Sequence, residues 1–216
     1  MDENFFVSRI MIWIPLVFSL TVHEWAHAAS AALLGDRTAE QQGRLTLNPL
    51  PHLDPVGTVL LPLIGVPFGW AKPVPVNPAR FRRGVNMRTG LVLTAAAGPA
   101  SNVVLAFVSS LALAMLYTRA PHLLATAGPV LQMMVFLNVL LAVFNMLPIP
   151  PLDGSRVADG LMPNAWRPAW DAFARLGPLV LAGVILAPLL FGFSLFSWPL
   201  ALTQEWIYLL AGWLAA

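Results

Sequence analysis

Cysteine is absent from this 216-residue chain, which excludes disulfide bonds, thiolate metal ligands and a cysteine nucleophile. Charge is scarce. Asp, Glu, Lys and Arg together make up 10% of the residues, where a soluble globular domain carries about 25%. Hydrophobic residues make up 58% and the mean hydropathy is +0.73. These values exclude an ordinary soluble domain and place the chain in a lipid bilayer. The net charge of +2 and pI near 9.7 do not argue for nucleic acid, because the basic residues cluster between apolar segments, as the positive-inside rule describes. Internal repeats and low-complexity tracts are missing too. So is the positive n-region of a signal peptide. Met1-Asp2-Glu3-Asn4 leads straight into apolar sequence, so the first segment is expected to be a retained span.

The apolar runs set the expected architecture. Phe5 to Leu34 is long enough to cross a bilayer, which takes about 20 residues, and Gly35-Asp36 offers a stop. The stretch from 35 to 88 holds no clear span. Gly43-Arg44-Leu45-Thr46-Leu47-Asn48-Pro49 alternates polar and apolar and predicts a short strand. Val56–Trp70 is apolar but short and broken by Pro62, Gly65, Pro67 and Gly69, which predicts a re-entrant element. Pro73, Pro75 and Pro78 predict an extended run. Further spans are expected at about Thr89–Tyr117, Pro129–Leu147 and Gly177–Phe193. Pro199–Trp213, interrupted by Gln204 and Glu205, reads as a fifth span or an interfacial helix. The expected fold is an all-α polytopic membrane protein. It has about four to five transmembrane helices and a small re-entrant, β-hairpin-like insertion between the first two. Residues 1–216 form one domain, with a core over 5–156 and C-terminal helices over about 177–214.

Seven of the 12 Lys and Arg residues lie between the first two spans: Arg37, Arg44, Lys72, Arg80, Arg82, Arg83 and Arg88. This bias puts the first and third loops in the cytoplasm. The end of the first span, the start of the second and the end of the third then meet on the cytoplasmic side.

Against this apolar background one stretch concentrates reactive side chains: His23-Glu24-Trp25-Ala26-His27. Positions i and i+4 share a helix face, so two imidazoles there can grip one zinc ion, and Glu24 can act on a water beside it. Chance occurrence on a core helix is the bland alternative. It is weakened here because two His and a Glu would be desolvated in hydrocarbon without compensation. A zinc site needs a third protein ligand and leaves one position for water. His52, Asp54, Asp153 and Glu205 are the candidates. Asp153 is favoured because it follows a proline-stiffened turn at the same membrane end, although Asp153-Gly154 also suits a plain turn. For His52 and Asp54 a local turn-capping role is the leading expectation, and His122 reads as solvated.

Taken together, these stretches resemble the site-2 protease family of intramembrane zinc metalloproteases, in its small bacterial form without PDZ or CBS domains. The matching stretches are H-E-W-A-H at 23–27, G-R-L-T-L-N-P at 43–49, H-L-D-P-V-G-T at 52–58 and G-W-A-K-P-V-P-V-N-P at 69–78. A-G-P-A-S-N at 97–102 and F-N-M-L-P-I-P-P-L-D-G at 144–154 complete them. The resemblance implies one zinc ion per chain on His23, His27 and Asp153, with Glu24 as general base. It places Asn102 and Asn145 near the site, steering the substrate strand or the oxyanion, where helix–helix hydrogen bonding is the bland alternative. The implied activity is endopeptidase cleavage in or near transmembrane segments of membrane proteins, at the cytoplasmic side of the bacterial inner membrane. An edge strand over Gly43–Leu47 is expected to accept the unwound substrate by β-addition. A metal transporter and a catalytically silent adaptor are the competing readings. The first should show repeated halves and the second should have lost Glu24.

Overall fold

The computed structural model describes residues 3–64, 69–191 and 197–215. Eight α-helical segments follow one another: α1 (Glu3–Leu33), α2 (Thr38–Gln41), α3 (Leu61–Leu63), α4 (Met87–Arg119), α5 (Leu124–Asn145), α6 (Asp153–Leu161), α7 (Arg167–Phe191) and α8 (Ser197–Ala215). Three helices among the described residues are long and apolar enough to cross a membrane; they span Met87–Arg119, Pro121–Asn145 and Asn164–Ala187. The expected count of four to five is therefore not reached by length and composition, although the chain is helical and apolar as anticipated.

The bundle centre is made by α1, α4 and α5, with α6 laid against α4. Leu16 and Leu20 of α1 meet Leu137 of α5, with Met133 and Leu141 packed around them. On another face of α5, Val135 joins Leu113 of α4 and Ile207 of α8 in a second cluster. α1 stops at Gly35-Asp36, where the Asp36 amide donates back to the Ala31 carbonyl at 2.9 Å. Asn86 starts α4 by accepting from the Arg88 amide at 2.8 Å, a capping bond typical of Asn.

The insertion between α1 and α4 corrects two expectations. No strand occurs among the described residues, so neither the short strand at 43–47 nor the β-hairpin-like form is present. The reason is local. The Asn48 amide donates to Thr46 Oγ1 and the Leu50 amide to Asn48 Oδ1, both at 3.1 Å. These polar side chains capture the backbone groups that a ladder would use. The alternation that suggested a strand instead accompanies a series of bends.

The rest of the insertion is built around an extended strap, residues 69–77. Asp54 caps a wide helical turn over Pro55–Leu60 by accepting from Val56 and Gly57. From that turn Thr58 Oγ1 donates to the Trp70 carbonyl at 2.7 Å. Further along, the Lys72 amide donates to the His52 carbonyl and the Asn77 amide to Asp36 Oδ2. Val74 buries its side chain against Ala28 of α1 and Ala39 of α2. Pro73 and Pro75 suit this extended path, since they fix φ and carry no N–H to satisfy, and Pro78 ends it by opening a 3-10 turn over Pro78–Arg80. Gly65 and Pro67, two expected breakers of the apolar run, lie outside the described residues.

Candidate metal centre

His23 and His27 sit one turn apart on α1 and turn their Nε2 atoms toward each other, 3.0 Å apart. Asp153, 130 residues after His23, brings its Oδ2 to 3.1 Å from His23 Nε2 and 3.2 Å from His27 Nε2. All three side chains are buried. Their candidate ligand atoms lie within 4.8 Å of one another. In a tetrahedral zinc site with bonds of about 2.0–2.1 Å, neighbouring ligand atoms stand about 3.3 Å apart. The two nitrogens and the oxygen match that spacing, so the donor set fits zinc.

The faces turned away from the cluster decide which nitrogen is free to ligate. His27 Nδ1 lies 2.7 Å from the Thr94 carbonyl. A carbonyl only accepts, so Nδ1 carries the proton and Nε2 offers its lone pair. His23 Nδ1 lies 2.6 Å from Asn102 Oδ1. Both contacts come from α4, which passes close because Gly98 lies opposite the two rings. A methyl group on Gly98 would collide with Nε2 of both histidines.

Asp153 opens α6, where the helix N-terminus favours a negative side chain. It can stand there because the chain turns tightly out of α5: the Leu152 amide donates to the Ile149 carbonyl, and Ser155 closes on Leu152 through both its amide and its hydroxyl. Gly154 makes the turn possible. A Cβ on it would collide with the Met146 carbonyl oxygen, which is why Gly follows the Asp.

Glu24 is buried next to His23 on α1 and meets the strap. Its Oε2 accepts from the Val74 amide at 3.0 Å. Arg44 clamps the same strap, donating from Nη2 to the Lys72 and Pro73 carbonyls. Burial lowers the pKa of the Arg44 guanidinium, and the charge of Glu24 acts in the opposite direction.

The structure thus gathers His23, His27 and Asp153 at one point, with Glu24 on the adjoining helix position. Asn102 is fully buried, with its amide bonded to His23 and to Asn138. Asn145 is partly buried, and its Nδ2 donates to the Leu141 carbonyl of its own helix at 3.0 Å. His52 is outside the cluster, with Nε2 against the Thr46 carbonyl at 2.9 Å; Asp54 caps its turn. Sequence reasoning missed Asn138, Ser19, Gly98, Arg44 and the Val74 amide. Gly98 and Arg44 both stood inside quoted motifs, and Arg44 was read as a loop charge and as part of the expected strand. Asn138 is a single polar residue in an apolar run, which in a membrane helix is itself a signal.

Comparison with known proteins gives the same direction. The profile of Peptidase family M50 matches residues 119–187, a stretch that includes Asn138, Asn145 and Asp153. YwhC of Bacillus subtilis, named as a candidate zinc metalloprotease, is 40% identical over 191 residues, which are 87% of this chain and 84% of YwhC. Rip2 of Mycolicibacterium smegmatis, named likewise, is 30% identical over 86% of this chain and 69% of its own length. Rip2 of Mycobacterium tuberculosis strain Erdman is 32% identical over 87% and 70% respectively. No solved structure matches the chain. On the strength of these relatives and of a buried His-His-Asp donor set, the chain belongs to peptidase family M50, the site-2 protease family of membrane zinc metalloproteases.

Proposed function

We propose that His23, His27 and Asp153 are the zinc ligands of this protease and that Glu24 is its general base. We also propose that its substrates are transmembrane or membrane-adjacent segments of other membrane proteins. The observation that carries the reading is the convergence of three metal-ligating atoms from α1 and α6 within 4.8 Å, buried in a bundle of apolar helices.

Zinc bound there supplies Lewis acidity, which polarises a peptide carbonyl and makes water a nucleophile near neutral pH. The chain's own groups do the remaining work. Glu24 takes a proton from the attacking water as its oxygen bonds to the carbonyl carbon, and returns it to the nitrogen as the C–N bond breaks. The Val74 N–H holds the Glu24 carboxylate in one rotamer, so the base is oriented before substrate arrives. Asn145, at the C-terminal end of α5 and only partly buried, is assigned to the substrate strand. A helical substrate hides its peptide bonds in i to i−4 hydrogen bonds and has to unwind before attack.

The orientation follows from charge. With the seven basic residues of the 35–88 stretch in the cytoplasm, the ends of α1 and α5 and the start of α4 are all cytoplasmic, and so is the site. At about 1.5 Å per residue, α1 is long enough to cross the bilayer alongside α4, α5 and α7. The inner membrane of a bacterium is the location this supports. The transporter reading has no matched halves in its favour, and Glu24 is present where a silent adaptor would have lost it.

The test compares wild type, Glu24→Gln and Asp153→Ala in zinc content and in cleavage of a transmembrane peptide substrate. Glu24→Gln is expected to hold about one zinc per chain and cut at least a thousandfold more slowly. Asp153→Ala is expected to lose both zinc and cleavage. Normal zinc in Asp153→Ala would move the third ligand elsewhere. Undiminished cleavage by Glu24→Gln would remove the general base assignment.

A further inference from the structure

The deepest polar feature of the bundle runs from its interior up to the metal cluster. Ser19 on α1 and Asn138 on α5 are fully buried, as is Asn102 on α4 between Asn138 and His23. Asn138 Nδ2 lies 2.8 Å from the Met134 carbonyl and 2.9 Å from Ser19 Oγ. Asn138 Oδ1 lies 2.7 Å from Asn102 Nδ2, and Asn102 Oδ1 lies 2.6 Å from His23 Nδ1. Three helices are linked by one unbroken chain of hydrogen bonds in an apolar surround, where an unpaired amide would cost several kcal/mol, on the order of 2–7.

The direction of this chain is fixed at its far end. The Met134 carbonyl is a backbone acceptor and cannot donate. The atom of Asn138 that faces it must therefore be the NH2 group, and the opposite atom must be the acceptor oxygen. That oxygen obliges Asn102 to present its own NH2 group, which turns Asn102 Oδ1 toward the imidazole. An amide oxygen facing Nδ1 requires a proton there, and His23 Nε2 is left with its lone pair directed into the cluster. Each step follows from the one before, so a backbone carbonyl on α5 sets the tautomer of a histidine on α1. His27 needs no such chain, because the Thr94 carbonyl faces it directly.

We propose that Asn102 and Asn138 are positioning residues for zinc binding: they lock His23 in the Nδ1–H tautomer through an amide chain anchored on the Met134 carbonyl. The proposal rests on the assignment of His23 as a zinc ligand. Ser19 is a passive end of the chain. It accepts a second hydrogen from Asn138, but the Met134 carbonyl orients that amide without it.

A merely structural role for Asn138 makes the opposite prediction, and this separates the two. If Asn138 only filled space in an apolar bundle, Asn138→Leu would be well tolerated and Asn138→Asp harmful. In the positioning role the order reverses. Leu ends the chain, whereas a buried Asp, kept neutral by desolvation, can donate its O–H to Met134 and accept from Asn102 as the amide did.

The experiment uses the full-length protein in detergent or nanodiscs and measures Zn2+ affinity against a chromophoric chelator, with the visible absorption of the Co2+-loaded protein as the signature of ligand geometry. Loss of an orienting partner of a metal-bound His weakens binding by about 10–100-fold. Asn102→Leu is expected in that range, and Asn138→Leu to bind about tenfold more weakly. Asn138→Asp and Ser19→Ala are expected within about twofold of wild type, with unchanged Co2+ spectra. The proposal is overturned if Asn138→Leu binds as wild type does, or if Asn138→Asp is as weak as the Leu variant. If Asn138→Leu does not fold, the Asp variant decides alone: a tenfold loss with an altered Co2+ spectrum sinks the idea. Failure of the metal site itself looks different, since wild type would then bind no zinc.

Discussion

Helices α4 and α7 are both long and apolar, yet they are used in opposite ways. A third of the most apolar stretch of α4 is buried within the protein, against 6% for α7. Most of the residues α4 buries are small or polar: Gly90, Thr94, Ala95, Gly98, Asn102, Ala106, Ser109, Ser110 and Ala114, with Leu113 and Pro99 beside them. In hydrocarbon, helices gain nothing by hiding Leu from lipid, so association rests on close backbone approach and on interhelical hydrogen bonds. α4 supplies both and so can carry the Thr94 carbonyl and the Asn102 amide up to the histidines. α7 shows large side chains to the outside, with Leu176 and Leu179 both more than half exposed, and reads as a lipid-facing wall. In this protein the candidate metal centre is built with small residues, not with bulk.

The sharpest way to break that contrast is to give α4 one more methyl group. Gly98→Ala would drive a Cβ into Nε2 of both His23 and His27, at the place where the lone pairs converge. Overpacking of this kind costs about 1–3 kcal/mol even where neighbours can shift, and here it spoils the geometry of the two proposed ligands. Zinc affinity is expected to fall by at least about 100-fold, with cleavage lost in parallel. The helical circular dichroism should be retained. A Gly98→Ala protein with normal zinc content would show that α4 is not the wall of the site.

A milder effect is expected at the strap. Val74→Pro keeps an extended backbone and removes one N–H, the group that holds Glu24 Oε2. A hydrogen bond to a charged group is worth about 1.5–3 kcal/mol. Part of that is recovered by water or by another rotamer, so a fall in kcat of about tenfold is expected at unchanged zinc content. Zinc loss in this variant would mean that the strap supports the ligands as well as the base. An unchanged kcat would mean that the Val74 amide does not orient Glu24.

How legible the site was follows from how local each signal is. His23 and His27 are one turn apart, so the spacing alone places them on one face, and Asp153 was favoured from its proline-stiffened turn and its membrane end. Glu24 came with the motif. Asn138 was not legible, because its meaning depends on Asn102 and Ser19 arriving from two other helices. The strand expected at Gly43–Leu47 failed for a related reason. Alternation predicts a surface that suits a sheet, but Thr46 and Asn48 bond their own neighbours and leave no ladder to extend. The helices themselves were read correctly in place, since runs such as 89–117 need no partner to be recognised. Of the expected four to five spans, three pass the test of length and composition among the described residues.

The smallest effect should come from the lipid-facing wall. Leu179 is 72% exposed on α7, and truncating a side chain that touches only lipid or detergent removes no cavity-forming contact, so Leu179→Ala should change stability by no more than about 0.5 kcal/mol. Zinc content and cleavage of a transmembrane peptide should match wild type. The comparison between helices then stands as drawn, with α4 as the structured face and α7 as the solvent-like one. A severalfold rise in KM with kcat and zinc unchanged would instead mark α7 as a surface on which the substrate helix rests before it reaches the site. A fall in thermal stability without any kinetic change would point to a second copy of the chain packed on that face. Since neither contact exists within a single chain, an effect at Leu179 would identify a partner that the isolated bundle cannot display.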